Sequence, residues 1–292
     1  MLANLFPGFR SARIETSGVT IDAVIGGKGP PLLLLHGWPQ NLHEWHHIAP
    51  RLAKDFTVVA TDLRGYGDST KPVDGENHLG YSKRAMAADQ VAVMKQLGFD
   101  RFSVVGHDRG GRVAHRMALD HAERIVRLAV LDIVPTRTVY STVNKQLATA
   151  YYHWFLLIQP APLPETLLAG KGEFMLRGLF RGLSKQAMPE EVFAEYVRCF
   201  NDPSTLHAMC EDYRAAASID LEHDEADIDR MVSCPMLVLW GQNGAMHRLY
   251  DVLATWRDRA SDVRGKAVSG GHWLPEEIPD AIYDELQGFL NG

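Results

Sequence analysis

Short apolar, β-rich runs alternating with helical stretches constrain this chain more than any other feature. The runs fall at 19–25, 32–35, 57–60, 102–105, 125–131, 236–239 and 263–268, and helix-patterned stretches at 82–97, 112–120 and 248–259 separate several of them. Continuous apolar strands joined through helices predict a mostly parallel sheet covered on both faces, an α/β architecture that binds ligands at the carboxyl ends of its strands. The alternation stops between Pro135 and Asp224, where helix-forming and aromatic residues dominate and no strand fits the sheet. That stretch reads as a helical cap inserted over the sheet, with Pro160, Pro162 and Pro164 as breaks between short helices. The expected division is therefore a core of residues 1–134 and 225–292 and a cap of residues 135–224.

Composition narrows the function classes. Hydrophobic residues at 46% and charged residues at 23% suffice for a large buried core. A formal charge of -6, from 30 basic against 36 acidic residues, carries no nucleic-acid footprint, so an anionic substrate needs locally placed arginines. Apolar stretches such as 32–35 and 155–158 fall far short of the ~20 residues a membrane span requires. The first ten residues lack the charged start and apolar block of a signal peptide. Cys199, Cys210 and Cys234 are widely spaced and form no CxxC pair, which fits reduced thiols acting as packing in the cytoplasm.

The chemistry concentrates at Gly106-His107-Asp108-Arg109-Gly110-Gly111, directly after one strand run and opening a helix. This is the G-x-Nu-x-G elbow, a sharp turn whose glycines allow close backbone approach and whose central side chain stands above the sheet. An ordinary strand-to-helix turn with Asp108 as the helix N-cap uses the same residue types. As a nucleophile, Asp108 differs in kind from the serine of esterases. A carboxylate with an ordinary pKa of ~3.9 is ionised at neutral pH and needs no base to attack a saturated carbon. The resulting ester must be hydrolysed by water, and that water does need a base. His272, in Gly270-Gly271-His272-Trp273 after the last strand run, is the candidate. Residues 240–244 hold no carboxylate, and Asp132, at the end of another run, is the alternative position from which a carboxylate can orient His272, although the same residue type also suits a cap of the turn before Pro135. The His36-Gly37-Trp38-Pro39 loop follows the 32–35 run, and the backbone N–H groups of Trp38 and Arg109 form the expected oxyanion hole.

Arg109 and Arg112 lie three apart in the first turn after the nucleophile, where two cations oppose the helix dipole. A bound anion reverses that penalty, and paired guanidinium groups grip a carboxylate in a fixed orientation. Ion pairing with acidic side chains is the competing role for Arg112. His43-Glu44-Trp45-His46-His47 fits the HExxH zinc pattern but has no evident third ligand; it reads as a polar helix face, with no metal expected.

GHDRGGR from Gly106, LDI around Asp132, the pair His153-Trp154, CEDYR from Cys210, GGHWLPEE from Gly270 and FPGF from Phe6 together resemble the haloacetate (fluoroacetate) dehalogenases of the α/β-hydrolase superfamily. The resemblance spans nearly the whole chain. It implies Asp108 as nucleophile, His272 as base, Asp132 as its acid partner, Arg109 and Arg112 as the carboxylate clamp, and a homodimer without cofactor. It also implies a halide pocket of His153, Trp154 and Tyr213, side chains that otherwise read as cap packing. Leu183 stands where some of these proteins place a pocket tryptophan. Epoxide hydrolases share the Asp nucleophile and the HGxP loop, with cap tyrosines, here Tyr152 and Tyr213, to protonate the oxygen. They usually have Trp after the nucleophile, where this chain has Arg109.

Overall fold

The computed structural model describes residues 2–16, 18–75 and 77–292. Eight strands form one sheet: β1 (Arg10–Glu15), β2 (Thr20–Gly26), β3 (Pro31–Leu35), β4 (Thr57–Thr61), β5 (Phe102–His107), β6 (Ile125–Leu131), β7 (Met236–Gly241) and β8 (Val263–Val268). Their order is β1-β2-β4-β3-β5-β6-β7-β8. β1 and β2 pair antiparallel, as do β2 and β4, and every neighbour from β4 to β8 is parallel. Leu32 to Leu35 are fully buried, as an unbroken apolar run must be in a sheet covered on both faces. β1 escaped the sequence reading because its RSARIE buries only Ile14; a polar edge strand has the composition of a loop.

The helix Lys83–Gln96 starts at the expected place, where the Ser82 side chain accepts from the Ala85 N–H. The elbow helix runs Asp108–Asp120, a full turn longer than the 112–120 pattern, because its first turn holds the polar elbow residues rather than apolar ones. The 248–259 pattern resolves into two short helices, Ala245–Leu249 and Val252–Arg257, the second capped by the Asp251 carboxylate. A C-terminal helix, Pro279–Asn291, buries Ile282, Leu286, Phe289 and Leu290.

Between β6 and β7 the chain passes through eight helices, from Thr136–Ser141 to Ile219–Ala226, and among the described residues adds no strand. Trp154, Tyr196, Phe200 and Tyr213 from these helices belong to the same apolar cluster as Leu32 to Leu35. The helical segment thus shares the apolar core of the sheet. Among the described residues, no helix is long and apolar enough to cross a membrane.

Candidate active site

The elbow is built by close packing. A Cβ on Gly106 would lie 2.4 Å from the Gly110 carbonyl oxygen, and one on Gly110 would lie 2.3 Å from that of Leu35 on β3, so neither position tolerates a side chain. The turn forces Asp108 to φ +42°, a left-handed conformation costing roughly 1–3 kcal/mol that persists only where its surroundings over-determine it. His107, not Asp108, occupies the N-cap position, so capping does not account for Asp108. The Asp108 carboxylate accepts the Trp38 backbone N–H at 3.1 Å. Burial alone would push its carboxyl up, but His272, Arg112, Arg109 and His107 outweigh that and hold it below the ordinary carboxylate range.

His272 Nδ1 lies 2.6 Å from Asp132 Oδ2, and the other Asp132 oxygen accepts the Gly241 N–H at 2.9 Å. Asp132 is also left-handed, at φ +49°, and its side chain is fully buried. With Nδ1 facing a carboxylate, the His272 ring presents Nε2 for proton transfer. The loop around His272 has further supports: Glu277 accepts the N–H groups of Gly271 and Trp273, and His107 Nε2 donates to the His272 carbonyl at 2.8 Å. Neither Glu277 nor His107 was singled out from sequence.

Arg109 is fully buried, and its guanidinium meets Asp212 through two parallel contacts, Nε to Oδ2 at 2.8 Å and Nη2 to Oδ1 at 2.7 Å. Asp212 also accepts from the Tyr66 hydroxyl at 2.6 Å and from the Lys83 ammonium. Sequence reasoning assigned no such partner to Arg109 and missed Asp212, although it sits inside CEDYR. Arg109 Nη1 has no partner in the protein. Arg112 Nη1 donates to the Val134 carbonyl and the Thr136 hydroxyl, both at 3.0 Å, while its Nε is buried without a partner. Arg112 therefore meets neutral oxygens rather than a surface acid.

The helices between β6 and β7 supply the opposite wall. His153 stacks on Trp38 with ring centroids 4.7 Å apart, and Tyr213 lies edge-on to His153 and Trp154. Arg109 lies 4.2 Å over the Tyr213 ring and Arg112 4.6 Å over that of Trp154. His153 Nδ1, Trp154 Nε1 and the Tyr213 hydroxyl are buried without a hydrogen-bond partner in the protein. Such groups are costly unless a ligand meets them. Burial drives the His153 imidazole down to about 3, which keeps it neutral with one N–H to donate.

A cavity of about 190 Å³ joins the walls; its lining includes Trp38, Asp108, Tyr151, His153, Leu179 and His272. Leu179, rather than Leu183, contributes the aliphatic side chain from that part of the chain. A larger surface groove of about 610 Å³, lined in part by His47, Arg51 and Asp280, contains none of Asp108, His272, Arg109 and Arg112. The HExxH segment is no polar surface face. Leu42–Trp45 is a buried 3₁₀ turn, with Glu44 fully inside and the His43 ring against Asn41. The apolar neighbours Leu42 and Trp45 gave the signal that it turns inward.

The family model for the α/β hydrolase fold matches residues 30–279. The chain belongs to the α/β hydrolases, as a haloacetate-dehalogenase-like member. It is 45% identical to the fluoroacetate dehalogenase of a Burkholderia species, covering 98% of this chain and 95% of that protein. It is 35% identical to the soluble epoxide hydrolase of Corynebacterium sp. strain C12, covering 94% of each. Among solved structures, the Nostoc sp PCC 7120 protein ALR0039 superposes with a TM-score of 0.96 at 55% identity, covering 99% of each chain. Glycine elbow, HGxP loop and His272 loop in this α/β hydrolase lie where parallel strands β3, β5 and β8 end.

Proposed function

We propose that this α/β hydrolase is a haloacetate dehalogenase, converting a small 2-haloacid such as fluoroacetate or chloroacetate to the hydroxy acid and halide. The observation that carries this reading is Asp108, held below the ordinary carboxylate range, in a cavity of about 190 Å³ that His153 and His272 also line, with the buried guanidinium groups of Arg109 and Arg112 and the unpartnered donors of Trp154 and Tyr213 packed behind that lining. A cavity below the ~300 Å³ lower range of drug-sized pockets suits a substrate of a few heavy atoms. Similarity to the Burkholderia fluoroacetate dehalogenase supports the same class.

Arg109 and Arg112 hold the substrate carboxylate. An Asp108 oxygen attacks the halogen-bearing carbon, and the halide leaves with the bonding pair, met by the N–H or O–H groups of His153, Trp154 and Tyr213. His272, oriented by Asp132, takes a proton from water, which attacks the Asp108 carbonyl carbon. The Trp38 and Arg109 N–H groups stabilise the oxyanion. Cleavage of the acyl C–O bond releases the hydroxy acid, leaves one water oxygen in Asp108, and yields one proton per halide. Residues 135–224 act as the cap over this chemistry and residues 1–134 and 225–292 as its base. The family resemblance supports a homodimer, and three buried, unpaired thiols support a cytoplasmic setting.

Epoxide hydrolysis is the second reading, favoured by the Corynebacterium relative and by Tyr152 at the cavity wall. A neutral epoxide brings no anion to Arg109 Nη1 and Arg112 Nε, the two guanidinium nitrogens left without partners, which weighs against it. Halide release from fluoro-, chloro- and bromoacetate, set against turnover of a neutral epoxide, tests the choice. Oxygen-18 appearing in Asp108 after turnover in labelled water tests the ester. Epoxide turnover without halide release refutes the dehalogenase.

A further inference from the structure

Glu44 is left over from the mechanism above, yet it is fully buried beside it. One carboxylate oxygen accepts the Gly37 N–H at 2.7 Å, in the loop whose next residue gives the Trp38 N–H to Asp108. The other lies 2.9 Å from His107 Nδ1, with both side chains at 0% exposure. That contact is short but poorly aligned for a hydrogen bond, so its character is coulombic. The far nitrogen of the same ring, Nε2, donates to the His272 carbonyl at 2.8 Å. Burial opposes charge on His107, but Glu44 overrides it and lifts the imidazole to about 9, so both ring nitrogens carry protons at neutral pH. Nearby, Glu276 accepts from Tyr196 and Gln40, and burial followed by the charge of Glu44 pushes its carboxyl well above the ordinary range. Both Glu276 oxygens are taken up by Tyr196 and Gln40 rather than by His107.

A fully buried ion pair is a poor source of stability, because removing two charges from water offsets most of their attraction. This pair instead ties together two loops far apart in sequence. We propose that Glu44 is a positioning residue for hydrolysis of the Asp108 ester, fixing the oxyanion loop through Gly37 and the His272 loop through His107. The inference rests on the ester mechanism above. It separates the two steps: alkylation uses the Asp108 carboxylate, already held by the Trp38 N–H, with the arginines, whereas hydrolysis needs His272 in register with that loop as well. Displacing either loop by about 1 Å is enough to slow a positioned reaction on the order of 100-fold.

The test is rapid-quench mass spectrometry of Asp108 alkylation and ester decay with chloroacetate, on wild type, E44Q and E44M. E44Q keeps an acceptor for Gly37 but loses the charge facing His107. E44M keeps the approximate volume and loses both. Expected are alkylation rates within about twofold of wild type, with ester decay slowed about 10-fold in E44Q and about 100-fold in E44M, so that ester accumulates in the steady state. A general structural defect lowers both steps together; that result, or unchanged ester decay in folded E44Q, overturns the inference. Near-isosteric E44Q keeps the test decisive should E44M fail to fold. If wild type never forms the adduct, the ester mechanism itself fails and the inference falls with it. If wild type forms it and the variants partition as wild type does, only the role of Glu44 is lost.

Discussion

On the sheet side of the site Asp132 and the backbone of the His272 loop have protein partners, whereas on the helical side three buried donors have none. Asp132 uses one oxygen on His272 and the other on Gly241, and the His272 loop is held by Glu277 and His107. On the helical wall, His153 Nδ1, Trp154 Nε1 and the Tyr213 hydroxyl are buried without partners, and facing them on the elbow helix so are Arg109 Nη1 and Arg112 Nε. An unmatched buried donor costs roughly 1–3 kcal/mol, so five together make sense where an anion completes them. Under the proposed mechanism the contrast is a division of labour: groups assigned to proton transfer are fixed in advance, and groups assigned to charge recognition are left open to the ligand.

The largest effect should come from breaking the sheet side. With His272→Asn, steady-state turnover should fall about 10³-fold, within the range for loss of a general base, while Asp108 still becomes alkylated. Intact-mass analysis after exposure to chloroacetate then finds a stable adduct. An unmodified, inactive variant would mean that His272 serves the first step as well, and the division would collapse.

Next in size is Asp212→Asn, which cuts at the support of the open side. Removing one carboxylate charge from between Arg109 and Lys83 breaks a fully buried pair and should lower unfolding stability by about 3 kcal/mol, read from urea titration. The substrate KM should rise with it, since Arg109 is no longer aimed. A stable variant with unchanged KM would show that Arg109 is held by packing alone.

Asp212 also marks where sequence reading stopped. Strand runs such as Leu32 to Leu35, the glycine elbow and the His272 loop were legible because each depends on local pattern: an unbroken apolar run, glycine where no Cβ fits, a histidine after a strand. Asp132 was legible by elimination, once the stretch after β7 was seen to lack a carboxylate. The Asp212–Arg109 and Glu44–His107 pairs were not, because their members lie 103 and 63 positions apart and nothing local distinguishes a buried acid from a surface one. For His153, Trp154 and Tyr213, residue type suggests packing just as well, and only family resemblance singled them out. Helix bounds failed for the same kind of reason: the apolar period that reveals a helix is silent in the first turn of the elbow helix, where chemistry displaced the pattern.

A smaller, selective effect is expected from Arg112→Ala. Loss of a charged hydrogen-bonding partner for the substrate carboxylate should cost about 2 kcal/mol, roughly 30-fold in kcat/KM for chloroacetate. A neutral alkyl halide, if turned over at all, should change by less than about twofold. Equal losses for both substrates would remove Arg112 from recognition and leave it holding only Val134 and Thr136.

The smallest expected change is in the pH dependence of ester formation, and it probes both sides at once. Asp108 is held below the ordinary carboxylate range, so it stays ionised as pH falls and loses its charge only below its ordinary pKa of 3.8. His153, held at about 3, stays neutral over the same span. Rapid-quench alkylation in wild type should therefore vary less than about twofold from pH 8 to 5. Had burial dominated at Asp108, its pKa would be raised, and the rate would fall toward tenfold per pH unit once below it. Stability responds in the other direction. His46 and His115 are buried, with pKa values lowered to about 4 and about 3, so the unfolded chain binds more protons below pH 6.5 and stability declines as pH falls through that window. Circular dichroism at each pH separates the two effects. A rate loss that tracks unfolding leaves the charge assignment of Asp108 intact, whereas a loss in fully folded protein means that burial, and not the surrounding cations, governs the nucleophile.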